Sequence, residues 1–149
     1  MKTHRIALFA LLLASGNLLA ADGLKRIASP YSVDETATRF EQVLKSKGMT
    51  IFNRIRHSDA ASKVGVAIQP TQLVIFGNPK VGSPLMKCAP TVAIDLPQKA
   101  LIWKDAAGKV WIGYNEPGYL QKRHNIQGCD AQLKKISGAL AKLTGAAVK

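Results

Sequence analysis

Two histidines have the side chain best suited to proton transfer near neutral pH. Apart from His4 near the N-terminus, His57 and His124 are the histidines of this chain. We expect each at the end of an element, His57 after a strand and His124 late in a short helix. If the two imidazoles met, they could form an acid/base pair or part of a nucleophilic set. The hydroxyls and carboxylates that could complete such a set are Ser58, Ser83, Asp59 and Asp95.

The alternative for each histidine is a hydrogen-bonded structural role or a place on the surface. The chain has no Gly-x-Ser-x-Gly segment, the sharp strand–helix turn that exposes a nucleophilic serine. Residue types alone leave both interpretations open, with His57 and His124 as the candidates for catalysis.

A loop with two glycines, residues 77–83 (GNPKVGS), follows an apolar run and leads into an expected helix. Free N–H groups at such a helix start can hold an anion. Lys80 and the amides of Gly82 and Ser83 are therefore the candidates for binding an anion. In the alternative interpretation the loop is only a tight connection, whose glycines permit positive φ.

The two glycines of this loop have the spacing of a nucleotide-binding P-loop. The lysine that should follow the second glycine is replaced by Ser83, with Pro84 next. In a P-loop that lysine contacts the β- and γ-phosphates, so the sequence excludes ATP or GTP binding by this mechanism.

Two further polar side chains, Tyr119 and Arg123, lie four residues apart and share one face of a short helix. With Tyr114 and Asn115 they could line a pocket beside a hairpin, although such aromatic residues more often pack on a sheet. The predicted ligand-binding residues are Asn78, Lys80, Gly82, Ser83, Tyr119 and Arg123.

The two cysteines, Cys88 and Cys129, are predicted to form a disulfide. In an exported chain an isolated pair is more often a structural bridge than a catalytic or metal-binding pair. Met86, Cys88 and the histidines are ligand types of copper sites, but no histidine lies near Cys88 in the sequence and a disulfide removes the thiolate. We predict no metal and no cofactor.

The expectation of export comes from residues 1–21. Lys2 and Arg5 precede an apolar run that is too short to span a bilayer, and small residues follow at Ala20 and Ala21. This pattern is typical of a cleaved signal peptide, which predicts a periplasmic or secreted protein. Residues 22–149 then form one domain, and without a second long apolar stretch we predict no integral membrane segment after cleavage.

A formal net charge of +12, two units of which come from Lys2 and Arg5, favours anionic ligands or surfaces. The alternative is a basic surface without a specific ligand. The basic residues are spread along the chain, without a dense run or a stripe interleaved with aromatic side chains, so we predict no specific nucleic-acid partner. The partners that we consider are a small anionic ligand and a second copy of the chain.

Apolar runs, hydrophobic alternation and a hairpin signal predict five strands. The run 73–76 is apolar at every position, which predicts a central strand buried on both sides. Trp103 and Trp111 lie on the last two strands, which the hairpin signal of residues 105–108 joins. The predicted strands are residues 24–28, 49–55, 73–76, 99–104 and 109–114.

Capping residues place the first two helices. Ser32 and Glu35 form a capping box that begins a helix, and Gly48 ends it. Ser83 followed by proline predicts a second helix start, and this helix runs to about residue 94 with an interruption at Pro90.

The C-terminal part of the chain predicts two more helices. Asn115 caps a short helix with Pro117 in its first turn, and Asp130 caps the last helix. Together the elements predict a single α+β domain with a mostly antiparallel sheet and a helical insert after the third strand. The predicted buried face of the last helix is Leu133, Ile136, Leu140, Leu143 and Ala147.

Several segments in this order resemble the domain of unknown function 302 family. The similarity covers nearly the whole expected domain, from about residue 24 to residue 143. The segments are Gly48-Met49-Thr50, Ile55-Arg56-His57, residues 71–86 (TQLVIFGNPKVGSPLM), Asp95-Leu96-Pro97 and the block of residues 111–124 with its Tyr114-Asn115, Tyr119-Leu120 and Arg123-His124 pairs.

The resemblance implies a fold similar to the TATA-box-binding-protein-like β-α-β(4)-α arrangement, in agreement with the order of elements above. A shared fold does not imply DNA binding. Because no activity is assigned to the family, no catalytic residues carry over. Many relatives lack an exported N-terminus, so the signal peptide and the Cys88/Cys129 pair look like features of an exported branch.

Three functions remain open. We favour a ligand- or partner-binding module in which residues 78–83, His57 and His124 surround one cleft. The first alternative is a small hydrolase or acid/base enzyme that uses the two histidines. The second is a protein that self-associates through a sheet face, which an exposed apolar patch would favour.

Overall fold

A computed structural model describes residues 23–149, and the predicted signal segment, residues 1–21, lies outside the described residues. The elements are β1 (Leu24–Ser29), α1 (Val33–Ser46), β2 (Thr50–Arg56), α2 (His57–Lys63), β3 (Thr71–Gly77), α3 (Pro79–Cys88), the 3₁₀ helix η1 (Pro90–Ile94), β4 (Gln98–Lys104), β5 (Val110–Asn115), α4 (Pro117–His124) and α5 (Asp130–Ala147).

The five strands form one sheet in the order β1-β5-β4-β3-β2, with antiparallel pairing throughout. The β4–β5 hairpin and β3 lie in the centre, and β1 and β2 form the edges. The helical insert after the third strand consists of α3 and η1. These features confirm the predicted α+β domain, its antiparallel sheet and the position of the insert.

The helices cover one face of the sheet. In β3, Val74 and Phe76 are 0% exposed, whereas Leu73 and Ile75, which alternate with them, are only partly buried. The prediction that residues 73–76 are buried on both sides is therefore wrong. An apolar run of four residues is expected both for a strand covered by helices on two faces and for an antiparallel strand covered on one face. In the second case the outer side chains contact only those of the adjacent strands.

Helix α1 begins where its capping box predicts. The Ser32 hydroxyl accepts a hydrogen bond from the Glu35 N–H at 3.2 Å, and this satisfies one of the amides that the first turn leaves free. Along its buried face, Phe40 packs edge-on against Phe76 of β3, with ring centroids 5.2 Å apart. This contact joins the helical layer to the centre of the sheet.

Helix α5 packs against α1 over the same face of the sheet. All five residues predicted for its buried face are buried. The predicted caps of the last two helices are wrong: Glu116 precedes α4 and Cys129 precedes α5, while Asn115 ends β5 and Asp130 is already helical. None of the helices within residues 23–149 is long and apolar enough to cross a membrane.

A polar cluster around Arg54 joins the edge strand β2 to α1. The guanidinium donates to Gln72 Oε1 at 2.7 Å, to Asp34 Oδ1 at 2.9 Å and to Glu41 Oε2 at 3.2 Å. Only 14% of the Arg54 side chain is exposed. The hydrogen bond from Gln72, followed by the contacts with Arg56 and Arg54, lowers the pKa of Asp34 below its usual value, although partial desolvation opposes the shift.

The lowered pKa of Asp34 predicts an acid-sensitive contribution to stability. Because the folded-state pKa lies below the unfolded value of about 3.9, this contribution is present above that pH and is lost as the pH falls through the folded-state pKa. Urea unfolding between pH 2.5 and 7 should therefore show Asp34→Asn less stable than the wild type near neutrality, with the difference shrinking below about pH 4. The exposed Asp59 serves as a control, and an equal pH-dependent loss in Asp59→Asn would contradict the assignment.

Candidate functional site

A cavity of about 300 Å³ lies at the end of the sheet where β3 ends and β4 begins. Its walls come from these strand ends, from α3, from the connection between η1 and β4, and from α5. Asn78, Ser83 and Gln98 are its polar lining residues, and within the described part of the chain no ionisable side chain lines it. The apolar lining includes Met49, Phe52, Phe76, Met86, Leu96 and Leu140.

Two helix faces contribute to the walls of the cavity. The lining residues of α3 include Pro79, Gly82, Ser83 and Met86, which follow the i, i+3, i+4, i+7 spacing of one helix face. The α5 wall has the same spacing. Its lining residues are Ile136, Ala139, Leu140 and Leu143.

The start of α3 differs from the prediction. Asn78, and not Ser83, is the N-cap: its side chain accepts a hydrogen bond from the Lys80 N–H at 3.0 Å. The Asn78 carbonyl accepts from the Gly82 N–H, also at 3.0 Å, and Ser83 lies inside the helix. The loop is therefore an asparagine-capped helix start, and the Gly82 amide predicted to bind an anion is already hydrogen-bonded.

The charge of the loop also lies away from the cavity. Lys80 is exposed and does not line the cavity. Of the six residues predicted to bind a ligand, Asn78, Gly82 and Ser83 line the cavity, whereas Lys80, Tyr119 and Arg123 do not. The structure thus places a pocket at the predicted loop, but an apolar one.

The two histidines do not share a cleft. His57 begins α2 directly after Arg56, which pairs with Gln72 near the start of β3. The cavity lies at the other end of β2, about 20 Å away along the strand. His124 contacts Asp95, which precedes β4 at the cavity end of the sheet. The prediction of a joint site for both histidines is therefore wrong.

His124 belongs instead to a cluster with two residues of the η1 segment. Its Nε2 lies 2.5 Å from Asp95 Oδ2, and its Nδ1 lies 3.1 Å from Thr91 Oγ1. The side chains of His124 and Asp95 are 6% and 13% exposed. Arg123 forms an ion pair with the same carboxylate oxygen at 3.4 Å. The sequence predicted His124 and Asp95 as candidates, but no local signal marked Thr91.

The disulfide predicted between Cys88 and Cys129 is present, with Cα atoms 6.5 Å apart. Cys88 is the last residue of α3 and Cys129 directly precedes α5, so the bridge joins the two helical walls of the cavity. Both sulfurs are bonded, which leaves no thiolate as a metal ligand. Within residues 23–149, no group of three His, Cys, Asp or Glu side chains could hold a metal ion.

A family model described as "Domain of unknown function DUF302" matches residues 25–143. The chain belongs to the DUF302 family. Its fold is similar to the crystal structure of an uncharacterized conserved DUF302 protein from Bacillus stearothermophilus, with a TM-score of 0.69 and 22% identity. The likeness covers 86% of this chain and 97% of that one, and at this identity it shows the shared fold alone.

The DUF302 domain also resembles parts of longer proteins. It is 43% identical over 104 residues to proteins named fluoride-specific ion channel FluC 1 from Brucella suis and FluC 2 from Brucella melitensis. The match covers 70% of this chain, but only 41% and 38% of those two proteins. The chain thus spans about two fifths of the length of these relatives.

The face of the DUF302 sheet away from the helices carries aromatic and basic side chains. Trp103 and Trp111 stand opposite each other on β4 and β5, and the Arg26 guanidinium lies 4.5 Å from the centre of the Trp111 ring. Tyr114, by contrast, is 1% exposed on the helix side, where burial raises the pKa of its phenol. These aromatic residues therefore pack on the sheet, and self-association through the outer face stays a prediction.

The cap of α3 can be tested by substitution. Asn78→Ala should lower the free energy of unfolding by about 1 kcal/mol, because the Lys80 N–H loses its acceptor. Asn78→Asp should retain most of the stability, since a carboxylate accepts the same hydrogen bond. Lys80→Ala replaces an exposed side chain two residues further along, and it should change the free energy of unfolding by less than about 0.5 kcal/mol. Chemical unfolding measures all three, and an equal loss in Lys80→Ala would contradict this role for Asn78.

Proposed function

We propose that the protein binds a small, uncharged, largely apolar molecule in the cavity between α3 and α5. The observation that carries this proposal is the lining: a space of about 300 Å³ is surrounded almost wholly by apolar side chains and by no ionisable one. Pockets for small molecules begin at about this volume and combine an apolar wall with a few polar groups.

The energetics favour a neutral ligand. Each CH₂ group that moves from water into such a cavity contributes about 0.8 kcal/mol. A carboxylate or phosphate would lose its hydration without finding a cationic partner, which costs several kcal/mol. The anionic ligand predicted from the basic composition is therefore replaced here by an uncharged one.

Three polar residues of the lining can orient such a ligand. Asn78 uses its side-chain oxygen to cap α3, which leaves its NH₂ group for another acceptor. Ser83 and Gln98, which have a hydroxyl and an amide, also line the cavity. Met49 and Met86 adapt to ligand shape, because unbranched thioether side chains repack easily. The export predicted from residues 1–21 would place this site in the periplasm or outside the cell.

A glycine in the α3 wall allows a direct test. A Cβ atom at Gly82 would meet Leu96 Cδ1 at 3.6 Å, an ordinary contact, so Gly82→Leu fills the cavity without a clash at its first carbon. We expect this variant to bind the neutral dye N-phenyl-1-naphthylamine at least about tenfold more weakly than the wild type, as measured by fluorescence titration. The control is Gly138→Leu, a change inside α5 where an added Cβ meets nothing within 4 Å.

A charged analogue of the neutral dye tests whether the cavity prefers uncharged ligands. The dye 8-anilino-1-naphthalenesulfonate has the same ring system with an added sulfonate, and we expect any binding of it to persist in Gly82→Leu as surface association. Dye binding that is unchanged in Gly82→Leu, or a cavity that takes the sulfonate as well as the neutral dye, would contradict the proposal.

A second candidate function comes from the relatives. Because the Brucella proteins named as fluoride channels contain a segment 43% identical to this domain, we propose that this domain associates with a membrane channel of that kind. In those relatives the matching segment shares one polypeptide with the rest of the protein, and such tethering raises the effective concentration of two partners, so that even a weak contact between them forms.

Association with a channel predicts co-purification. The protein, expressed with a fluoride channel from the same organism, should elute with it in mild detergent and should change the rate of fluoride efflux from vesicles. Separate elution with an unchanged efflux rate would exclude this candidate and would leave the binding of an apolar ligand unaffected.

A further inference from the structure

Thr91, His124 and Asp95 form a line of hydrogen-bonding groups on the η1 side of the cavity. The imidazole lies between the other two side chains, with Nε2 at 2.5 Å from the carboxylate and Nδ1 at 3.1 Å from the hydroxyl. The imidazole and the carboxylate are nearly buried, whereas Thr91 is exposed. The hydroxyl is thus the member of the cluster that an incoming molecule can reach.

This arrangement has the parts of an activated nucleophile. A hydroxyl within hydrogen-bond distance of an imidazole can transfer its proton to the ring as it attacks a carbonyl carbon. A carboxylate on the other ring nitrogen holds the imidazole in the required tautomer and stabilises the imidazolium that forms. Arg123, 3.4 Å from the same carboxylate oxygen, holds Asp95 in place.

The η1 segment connects this cluster to the cavity. Ala93 lines the cavity, and Thr91 is two residues away, so their Cα atoms lie at most about 7 Å apart. In a 3₁₀ helix with three residues per turn, the two side chains point about 120° apart around the axis. To react, a molecule with its apolar end in the cavity would pass around the edge of η1 to the Thr91 hydroxyl.

We propose that Thr91, His124 and Asp95 hydrolyse uncharged esters whose apolar acyl group occupies the cavity. This assignment rests on the proposed function, because the cavity supplies the binding site for the acyl group. Thr91 is the nucleophile and His124 the general base, and Asp95 is a positioning residue that acts through His124.

The reaction balances with water as the only co-reactant. Thr91 Oγ1 forms a bond to the ester carbonyl carbon while His124 Nδ1 accepts the hydroxyl proton. The carbon–oxygen bond to the alcohol then breaks, and His124 returns the proton to the leaving alcohol. Water attacks the acyl-threonine by the same route, which releases the carboxylic acid and restores Thr91.

The test measures hydrolysis of the ester 4-nitrophenyl hexanoate by the protein of residues 23–149. We expect the wild type to hydrolyse it faster than Thr91→Ala or His124→Gln by about a hundredfold or more, the usual contribution of a general base. Glutamine retains hydrogen-bonding groups at position 124, so a purely structural role would survive that change. The controls are Thr50→Ala and His57→Ala, an exposed threonine and the histidine at the far end of β2.

Two further readouts separate catalysis from structure. Thr91→Ser should restore hydrolysis, because serine offers the same hydroxyl. Rapidly quenched wild type should carry one hexanoyl group on Thr91 by peptide mass spectrometry, and Asp95→Asn should lower kcat with little change in KM. Hydrolysis equal in wild type and Thr91→Ala, or acylation at lysines alone, would overturn the proposal.

Failure of the catalytic assignment can be told apart from failure of the proposed apolar binding site. If Thr91→Ala and the wild type bind N-phenyl-1-naphthylamine equally but neither hydrolyses the ester, the catalytic assignment fails and the apolar site stands. If the wild type binds neither the dye nor the ester, both fail.

Discussion

One apolar face of the sheet must be covered, and the rest of the structure depends on how that is done. Helix α1 lies over the inner residues of β3, where Phe40 packs edge-on against Phe76 at 5.2 Å, and α5 packs beside α1 and against β5. This cover ends where β3 ends at Gly77. Beyond that point the shorter α3 and η1 close the core, and the cavity lies where they meet α5. The candidate site is thus a consequence of incomplete cover at one end of the sheet.

The cavity wall is held at both ends of α3. Asn78 fixes its first turn through the hydrogen bond to the Lys80 N–H, and the Cys88–Cys129 disulfide attaches its last residue to the start of α5. Between these points Gly82 lines the cavity without a side chain, which leaves more space in it. A disulfide across this many residues stabilises a small domain by about 3–4 kcal/mol in chain-entropy models. The space therefore lies between two helices that are covalently joined and is not a gap that the helices can readily close.

The histidines illustrate how much of the site could be predicted. Their residue type marked both as candidates, and Asp95 was among the carboxylates considered. Which of them meet depends on contacts between residues 29 and 33 positions apart, because His124 approaches Asp95 and Thr91 from a different element. His57 has the same side chain, but it follows β2 at the opposite end of the sheet. The residue types indicated the possible chemistry, but they did not indicate which side chains lie close together.

The sequence by itself determined the α+β class, the antiparallel sheet, the family and the disulfide pair, because periodicity, capping boxes and a hairpin signal are local and two cysteines allow one intrachain pairing. Only the tertiary structure decided that residues 73–76 have one covered face, that the 77–83 loop borders an apolar cavity, and that Thr91 joins His124. These facts depend on side chains brought together from distant elements, whose packing determines which polar groups are already paired and where space is left.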